Sequence, residues 1–389
     1  MSWPMVAIKS VSKVTTGKTP SKKVDSYFGG DIPFISPSEL GESAFVKNAK
    51  QTLSELGAQQ IKLVPKNSVL VCCIGSLGKL AIADRELGTN QQINSVTFNE
   101  EKVFPKYGYY ALARLKPVLE AIAPATTVAI VSKSKFEELE IPLPPLAEQK
   151  RIAAILDKAD AIRQKRKQAI ELADEFLRSV FLEMFGDPVA NPKGWDEHIL
   201  KDIADIRSGV TKGKKVSPDN AVTLPYMRVA NVQDGYLDLT SIQEITVSKK
   251  DAEKCKLLKG DILLTEGGDP DKLGRGHVWS DELDNCIHQN HIFSVRVNDF
   301  DTVRPEFLSS LISSQRGKRY FLKVGKQTTG IATINKTVLS EFVPFIPPIE
   351  LQDEYLTIVR RINETTLKED NLYSDLFSSL SQKAFSGQL

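Results

Sequence analysis

Apolar residues recur at steps of three and four through residues 146–185, at Ile152, Ile155, Ala159, Ile162, Ala169, Ala173, Phe176 and Val180. That spacing marks one face of a single long helix. Pro144-Pro145 ends the segment before it, and Gly186-Asp187-Pro188 stops it. The pattern returns over residues 349–385, with Tyr355, Val359, Ile362, Tyr373, Leu376 and Leu380. At ~1.5 Å per residue the predicted helices are roughly 60 and 55 Å long. A seam of that length needs another long helix to cover it, and the two form an antiparallel pair most simply. Each seam has a polar interruption near its middle, Arg166 in the first and Thr366 and Glu369 in the second. Centring the pair predicts Arg166 opposite Glu369, a polar layer that fixes register.

The remaining chain reads as mixed α/β. Short apolar or alternating runs at 68–74, 95–98, 261–265 and 292–297 predict strands, separated by Gly and Pro turns. Helices are expected at 107–119 and 305–323. There is no regular β-α alternation and no Gly-x-Gly-x-x-Gly after a strand, which argues against a doubly wound nucleotide fold.

The two stretches that precede the helices repeat each other. Val6 to Val14 resembles His198 to Ile206, and both lead to a glycine at the same place, Gly17 and Gly209. Ile32-Pro33-Phe34-Ile35 matches Leu224-Pro225-Tyr226-Met227, and Lys66 to Leu70 matches Lys259 to Leu263. Asn90-Gln91-Gln92 aligns with His288-Gln289-Asn290, and residues 125–145 align with 328–348 without a gap. The expected organisation is a globular domain at 1–145, a long helix at 146–185, a second domain at 186–348 and a second helix at 349–389. A length of 389 residues suits such a chain.

Composition adds little: the formal net charge is +2, but Lys9, Lys13, Lys18, Lys22 and Lys23 all come before the first acidic residue, Asp25. No apolar run reaches membrane-spanning length, and a cytoplasmic location is expected. Cys72, Cys73, Cys255 and Cys286 lack metal or redox spacing and are expected to be buried thiols. Catalytic signatures are missing. There is no Asn/Asp-Pro-Pro-Tyr/Phe, no correctly spaced phosphate loop at 75–80, and no paired carboxylate beside His277, His288 and His291. No catalytic residue and no metal site are predicted.

Polar loops recur at equivalent places in both halves. Thr16, Lys18 and Thr19, with Lys22 beyond them, correspond to Arg207, Thr211 and Lys212, with Lys214 and Arg228 beyond. Ser76 and Lys79 correspond to the loop holding Lys272 and Arg275. Glycine-rich turns expose N–H groups to phosphate, and Lys or Arg adds charge. Asn90, Gln91 and Gln92, and likewise His288, Gln289, Asn290 and His291, carry donors and acceptors suited to base edges. Together these residues are the candidate DNA-binding set.

Ile141-Pro142-Leu143-Pro144-Pro145-Leu146-Ala147-Glu148-Gln149, followed by the long helix, resembles the specificity (S) subunit of type I restriction–modification systems. The ending Gln382-Lys383-Ala384-Phe385-Ser386-Gly387-Gln388-Leu389 is similar too, and the resemblance covers the whole chain. It implies an α+β fold class, with two pseudo-repeated mixed α/β target-recognition domains separated by two long helices in an antiparallel coiled coil. It implies a non-catalytic subunit that binds a split, asymmetric site in double-stranded DNA. It also implies two modification (methyltransferase) subunits as partners, with restriction (motor–nuclease) subunits joining for cleavage. S-adenosylmethionine and ATP would belong to those partners, leaving this chain without a cofactor. Glu148, Gln149 and Gln352 are the partner-binding candidates that the resemblance carries over. The second copy departs at Leu351, which stands where the first has Glu148. A coiled-coil scaffold without DNA readout is the competing reading, and sequence-selective DNA retention separates the two. A catalytic reading would need S-adenosylmethionine binding by the lone chain.

Overall fold

The computed structural model describes residues 3–41, 43–46, 49–124, 128–214, 216–268, 273–328 and 331–388, without side chains at 326–328, 331, 366–376 and 378. The chain forms two compact units, Met1–Gln168 with Glu369–Leu389, and Ala169–Lys368. Two uninterrupted helices, Leu146–Phe185 and Ile349–Ser386, each contribute one part to either unit.

In the first unit a four-stranded antiparallel sheet runs in the order Ser12–Thr16, Ile93–Phe98, Val69–Cys72, Leu80–Ile82. Val69–Cys72 is buried along its whole length, so both faces of this strand must be covered. Val69, Val71 and Cys73 join a core with Ile8, Tyr107 and Phe136, while Leu70 and Cys72 join another with Ile35, Leu87 and Ile93. A second sheet has the order Gln51–Leu53, Phe28–Ile35, Gly88–Thr89, the last pair parallel. Met5–Ala7 pairs with Glu140–Pro142.

The first turns of Leu146–Phe185 belong to this core through Ile152, Ala153 and Leu156. The end of Ile349–Ser386 belongs to it as well. Phe385 meets Tyr107 with ring centroids 5.4 Å apart, and Trp3 Nε1 donates to Ala384 O at 3.1 Å. Farther along, Arg163 lies over the Phe377 ring at 5.6 Å. Rising numbers on one helix meet falling numbers on the other, so the pair is antiparallel here.

The second unit repeats this plan. Its four-stranded sheet is Ala204–Ser208, Ile292–Val297, Ile262–Thr265, Gly276–Val278, and its three-stranded sheet is Gln243–Ser248, Ala221–Met227, Ile287–His288. Asp196–Glu197 pairs with Phe345–Ile346. Ile262 and Leu264 face one core, and Leu263 faces another with Met227 and Trp279. The helices meet in this unit too: Phe181 and Phe185 each lie 5.6 Å from the Tyr355 ring. An additional sheet of Gly267–Gly268, Ile331–Thr333 and Lys326–Thr328 belongs to this unit.

Several expectations change in detail. The helix expected at 107–119 is two, Pro105–Ala113 and Lys116–Ile122, the second with Pro117 in its first turn. The one expected at 305–323 divides into Pro305–Ser313 and Gln315–Val324, because the Ser314 side chain caps a new helix at Arg316 N. Ile162 and Phe176, assigned to the seam, remain 48% and 50% exposed. The buried stripe at the start of the helix runs instead through Ile152, Ala153 and Leu156, facing the sheet. Arg166 is half-buried, while the Glu369 side chain lies outside the described residues. All four cysteines are free and buried, and burial raises the Cys73 and Cys286 thiols to about 12. No described helix is long and apolar enough to cross a membrane.

Candidate nucleic-acid interface

In the first unit the polar loops meet where the chain leaves the three-stranded sheet and enters the four-stranded one. Gly17 sits so tightly on the strand Gly88–Thr89 that a Cβ there would lie 2.1 Å from Asn90 O. Close backbone approach demands the glycine, not an unusual φ. Lys18 N donates to Thr89 O at 2.9 Å, and Thr19 Oγ1 donates to Gln91 Oε1 at 2.7 Å. Thr16 Oγ1 donates to Asn94 Oδ1 at 2.7 Å. Asn90 Oδ1 accepts from Gln92 N at 3.0 Å, and Gln92 Nε2 donates to Ile74 O at 3.3 Å. These bonds tie the loops around 16–19, 74–79 and 90–92 into one surface. Lys18, Ser76, Lys79 and Gln91 are exposed on it, and Lys22 is exposed on the turn that follows, whereas Asn90 and Gln92 spend their amides on the turn at 90–92. Sequence reasoning missed Lys116, whose stem crosses Gly78 and lines a cleft of about 390 Å³ with Ser76 and Lys79. It lies on a separate helix, and no local pattern marks it.

The second unit builds the same junction. A Cβ on Gly209 would lie 2.0 Å from His288 O. Val210 N donates to His288 O at 2.8 Å, and Asn290 N donates to Val210 O at 2.9 Å. His291 Nδ1 lies 2.6 Å from Glu266 Oε2. Thr211 and Lys212 are exposed, Lys214 lies 3.9 Å from Asp251, and Arg207 pairs with Asp205 at 2.7 Å. The Arg228 guanidinium is taken up by Ser241 O at 2.7 Å, which fixes a turn. Arg275 occupies the place that Lys79 holds in the first unit. Thr265 N donates to Arg275 O, as Cys72 N does to Lys79 O. Lys272 lies outside the described residues. Lys250, Lys254 and Lys336, which sequence reasoning also missed, join Arg207 and Ser208 around a cleft of about 820 Å³.

Hydrogen bonding corrects the alignment of the amide loops by one residue. Asn90 N donates to Ile35 O, and Gln289 N donates to Met227 O. The strands pair Ile35 with Thr89 and Met227 with His288. Asn90-Gln91-Gln92 therefore corresponds to Gln289-Asn290-His291, and His288 corresponds to buried Thr89. His288 is withdrawn from the interface: it is 1% exposed, with Nδ1 3.1 Å from Cys255 O. A carbonyl only accepts, so Nδ1 carries the proton and the buried Nε2 has no partner. Burial lowers its pKa to about 4.

Two partner-binding assignments change as well. Gln149 and Gln352 are completely buried, and each amide is spent on three backbone groups of its own unit. Neither has a polar atom left to offer a partner. Glu148 remains at the surface, where hydrogen bonding to Arg151 at 2.9 Å lowers its pKa. Its counterpart Leu351 packs instead against the Phe181–Tyr355 cluster.

Two repeated domains, each with a polar junction between sheets and joined to antiparallel helices, define a modular recognition protein. Residues 2–172 and 192–374 both match the type I restriction modification DNA specificity domain, and the chain belongs to that family. It is 28% identical over 318 residues to the type I restriction enzyme MjaIX specificity subunit of Methanocaldococcus jannaschii, covering 76% of this chain and 73% of the relative. It is 25% identical over 337 residues to the EcoBI specificity subunit of Escherichia coli, covering 77% and 69%. The S subunit of a type I restriction–modification system from M. genitalium shares the fold, with a TM-score of 0.55 and 19% identity over 100% of this chain and 96% of that one.

Proposed function

We propose that this chain is the DNA sequence-specificity subunit of a type I restriction–modification complex, each globular domain reading one half of a split, asymmetric site. The observation that carries this reading is the repeated junction. Both domains place glycine-backed cations and amides at equivalent positions, yet the side chains differ: Lys79 against Arg275, Gln91 against Asn290, Gln92 against His291. Equivalent placement suits a common docking mode, and different donors and acceptors suit different half-sites. Lys18, Lys79, Lys212 and Arg275 are assigned to phosphate, and Gln91, Gln289, Asn290 and His291 to base edges.

In this reading the helices space the half-sites, and the surface around Glu148 docks two modification subunits. The chain is non-catalytic. S-adenosylmethionine and ATP are bound by partner subunits, which act on an adenine flipped from the duplex, and the assembly works in the cytoplasm. The test is retention of DNA by the chain assembled with its modification subunits. Binding should be sequence-selective, and Lys79→Ala should weaken it on all sequences while flattening the salt slope by roughly one. A scaffold without DNA readout would show no selectivity in that assay.

A further inference from the structure

The two buried glutamines form the same device twice. In the first unit Gln149 Oε1 accepts from Phe104 N at 2.8 Å, and Nε2 donates to Lys102 O at 2.9 Å and to Pro144 O at 2.8 Å. In the second, Gln352 Oε1 accepts from Arg304 N at 2.9 Å, and Nε2 donates to Thr302 O at 3.0 Å and to Pro347 O at 2.8 Å. Each amide therefore joins two pieces of chain to the helix that carries it. These are the turn that runs from the strand Ile93–Phe98 or Ile292–Val297 to the helix beginning at Pro105 or Pro305, and the proline pair that leads into the long helix. Both side chains have zero exposure.

Burial alone would be served as well by leucine or methionine. What an amide adds is direction, because one acceptor and two donors at these distances define the position and rotation of the helix that carries them. Neighbouring groups brace the same joint. In the first unit Asp157 accepts from Tyr110 Oη at 3.0 Å and pairs with Lys106. In the second, Arg304 grips both oxygens of Asp353 at 2.6 and 2.7 Å, which lowers the pKa of that carboxyl. These braces sit on different turns and use different chemistry, while the glutamine is the same in both units.

We propose that Gln149 and Gln352 are positioning residues that lock the direction in which each long helix leaves its domain, and so set how strictly the complex measures the spacer between half-sites. This rests on the reading of the chain as a specificity subunit. A helix of 40 residues is about 60 Å long at ~1.5 Å per residue. A change of about 5° at its base moves the far end by about 5 Å, more than one base-pair step of ~3.4 Å. Loosening the amide lock therefore blurs spacer length while leaving each domain's own contacts intact.

The experiment uses the full chain assembled with its modification subunits. Half-sites and spacer are first found from the methylated adenines of cells expressing the complex. Duplexes carrying those half-sites with the native spacer, and with one base pair more or fewer, are then methylated in vitro. Gln149→Met and Gln352→Met keep the length and lose the hydrogen bonds. Each should retain the half-site sequences while preference for the native spacer falls about tenfold or more. Gln149→Asn and Gln352→Asn, which keep the amide but shorten its reach, are the second pair should a Met variant fail to fold. Discrimination within twofold of wild type in a folded, methylating variant would overturn the proposal and leave the amides a purely structural role. Failure of the underlying reading looks different: the wild-type complex would then yield no bipartite motif at all.

Discussion

Position 288 shows how the same fold tolerates different residues in its two copies. Thr89 and His288 occupy one site, buried beneath a glycine that leaves no room for a Cβ. At another equivalent pair, Ser68 and Thr97 share a hydroxyl hydrogen bond of 2.8 Å where Asp261 and Arg296 make a bidentate ion pair with both distances 2.7 Å. Such pairs keep the sheet closed on either chemistry, provided that both partners change together. His288 carries a pH consequence. Its folded pKa of about 4 lies below the ordinary 6.5, so between those values the unfolded chain binds the extra proton. Its stabilising contribution is complete above about pH 6.5 and is lost as pH falls toward 4. Urea unfolding of wild type and His288→Thr should show it. From pH 7 to pH 5 wild type should lose on the order of 2 kcal/mol more than the variant. Equal losses would mean that the ring is protonated in the folded state.

Among the elements, the long helices were the most legible in the sequence, because period, proline start and glycine stop all agree and little else fits a 40-residue stripe. The inner strands were legible for a similar reason: Val69–Cys72 and Ile262–Thr265 are buried on both faces and read as unbroken apolar runs. The amide loops were not. Asn90-Gln91-Gln92 has no apolar residue to anchor an alignment, and only the flanking Ile93 and Ile292 reveal the one-residue shift. Gln149 and Gln352 misled for the opposite reason: a polar residue in a charged first turn reads as exposed, and only the fold shows the carbonyls that bury it. The helices also carry a prediction of length. Seven residues inserted in each, at 165–166 and 367–368, add two turns and keep the seam in phase, about 10 Å in all. The spacer of the methylated motif should lengthen by up to about three base pairs. An unchanged spacer in an active mutant would mean that the helices do not set the distance.

At the scale of the molecule, the repeat implies that recognition is divisible. Each unit has its own four-stranded sheet, its own polar junction and its own glutamine lock, and a net charge of only +2 leaves local placement of cations to do what bulk charge does not. The central claim is that one domain reads one half-site, and domain exchange tests it most directly. Residues 195–345 are replaced by the corresponding segment of another specificity subunit, the hybrid is expressed with its modification subunits, and the methylated motif is read by sequencing. The account predicts one half changed to that of the donor, with the other half and the spacer kept. A motif altered in both halves, or in neither, would contradict it.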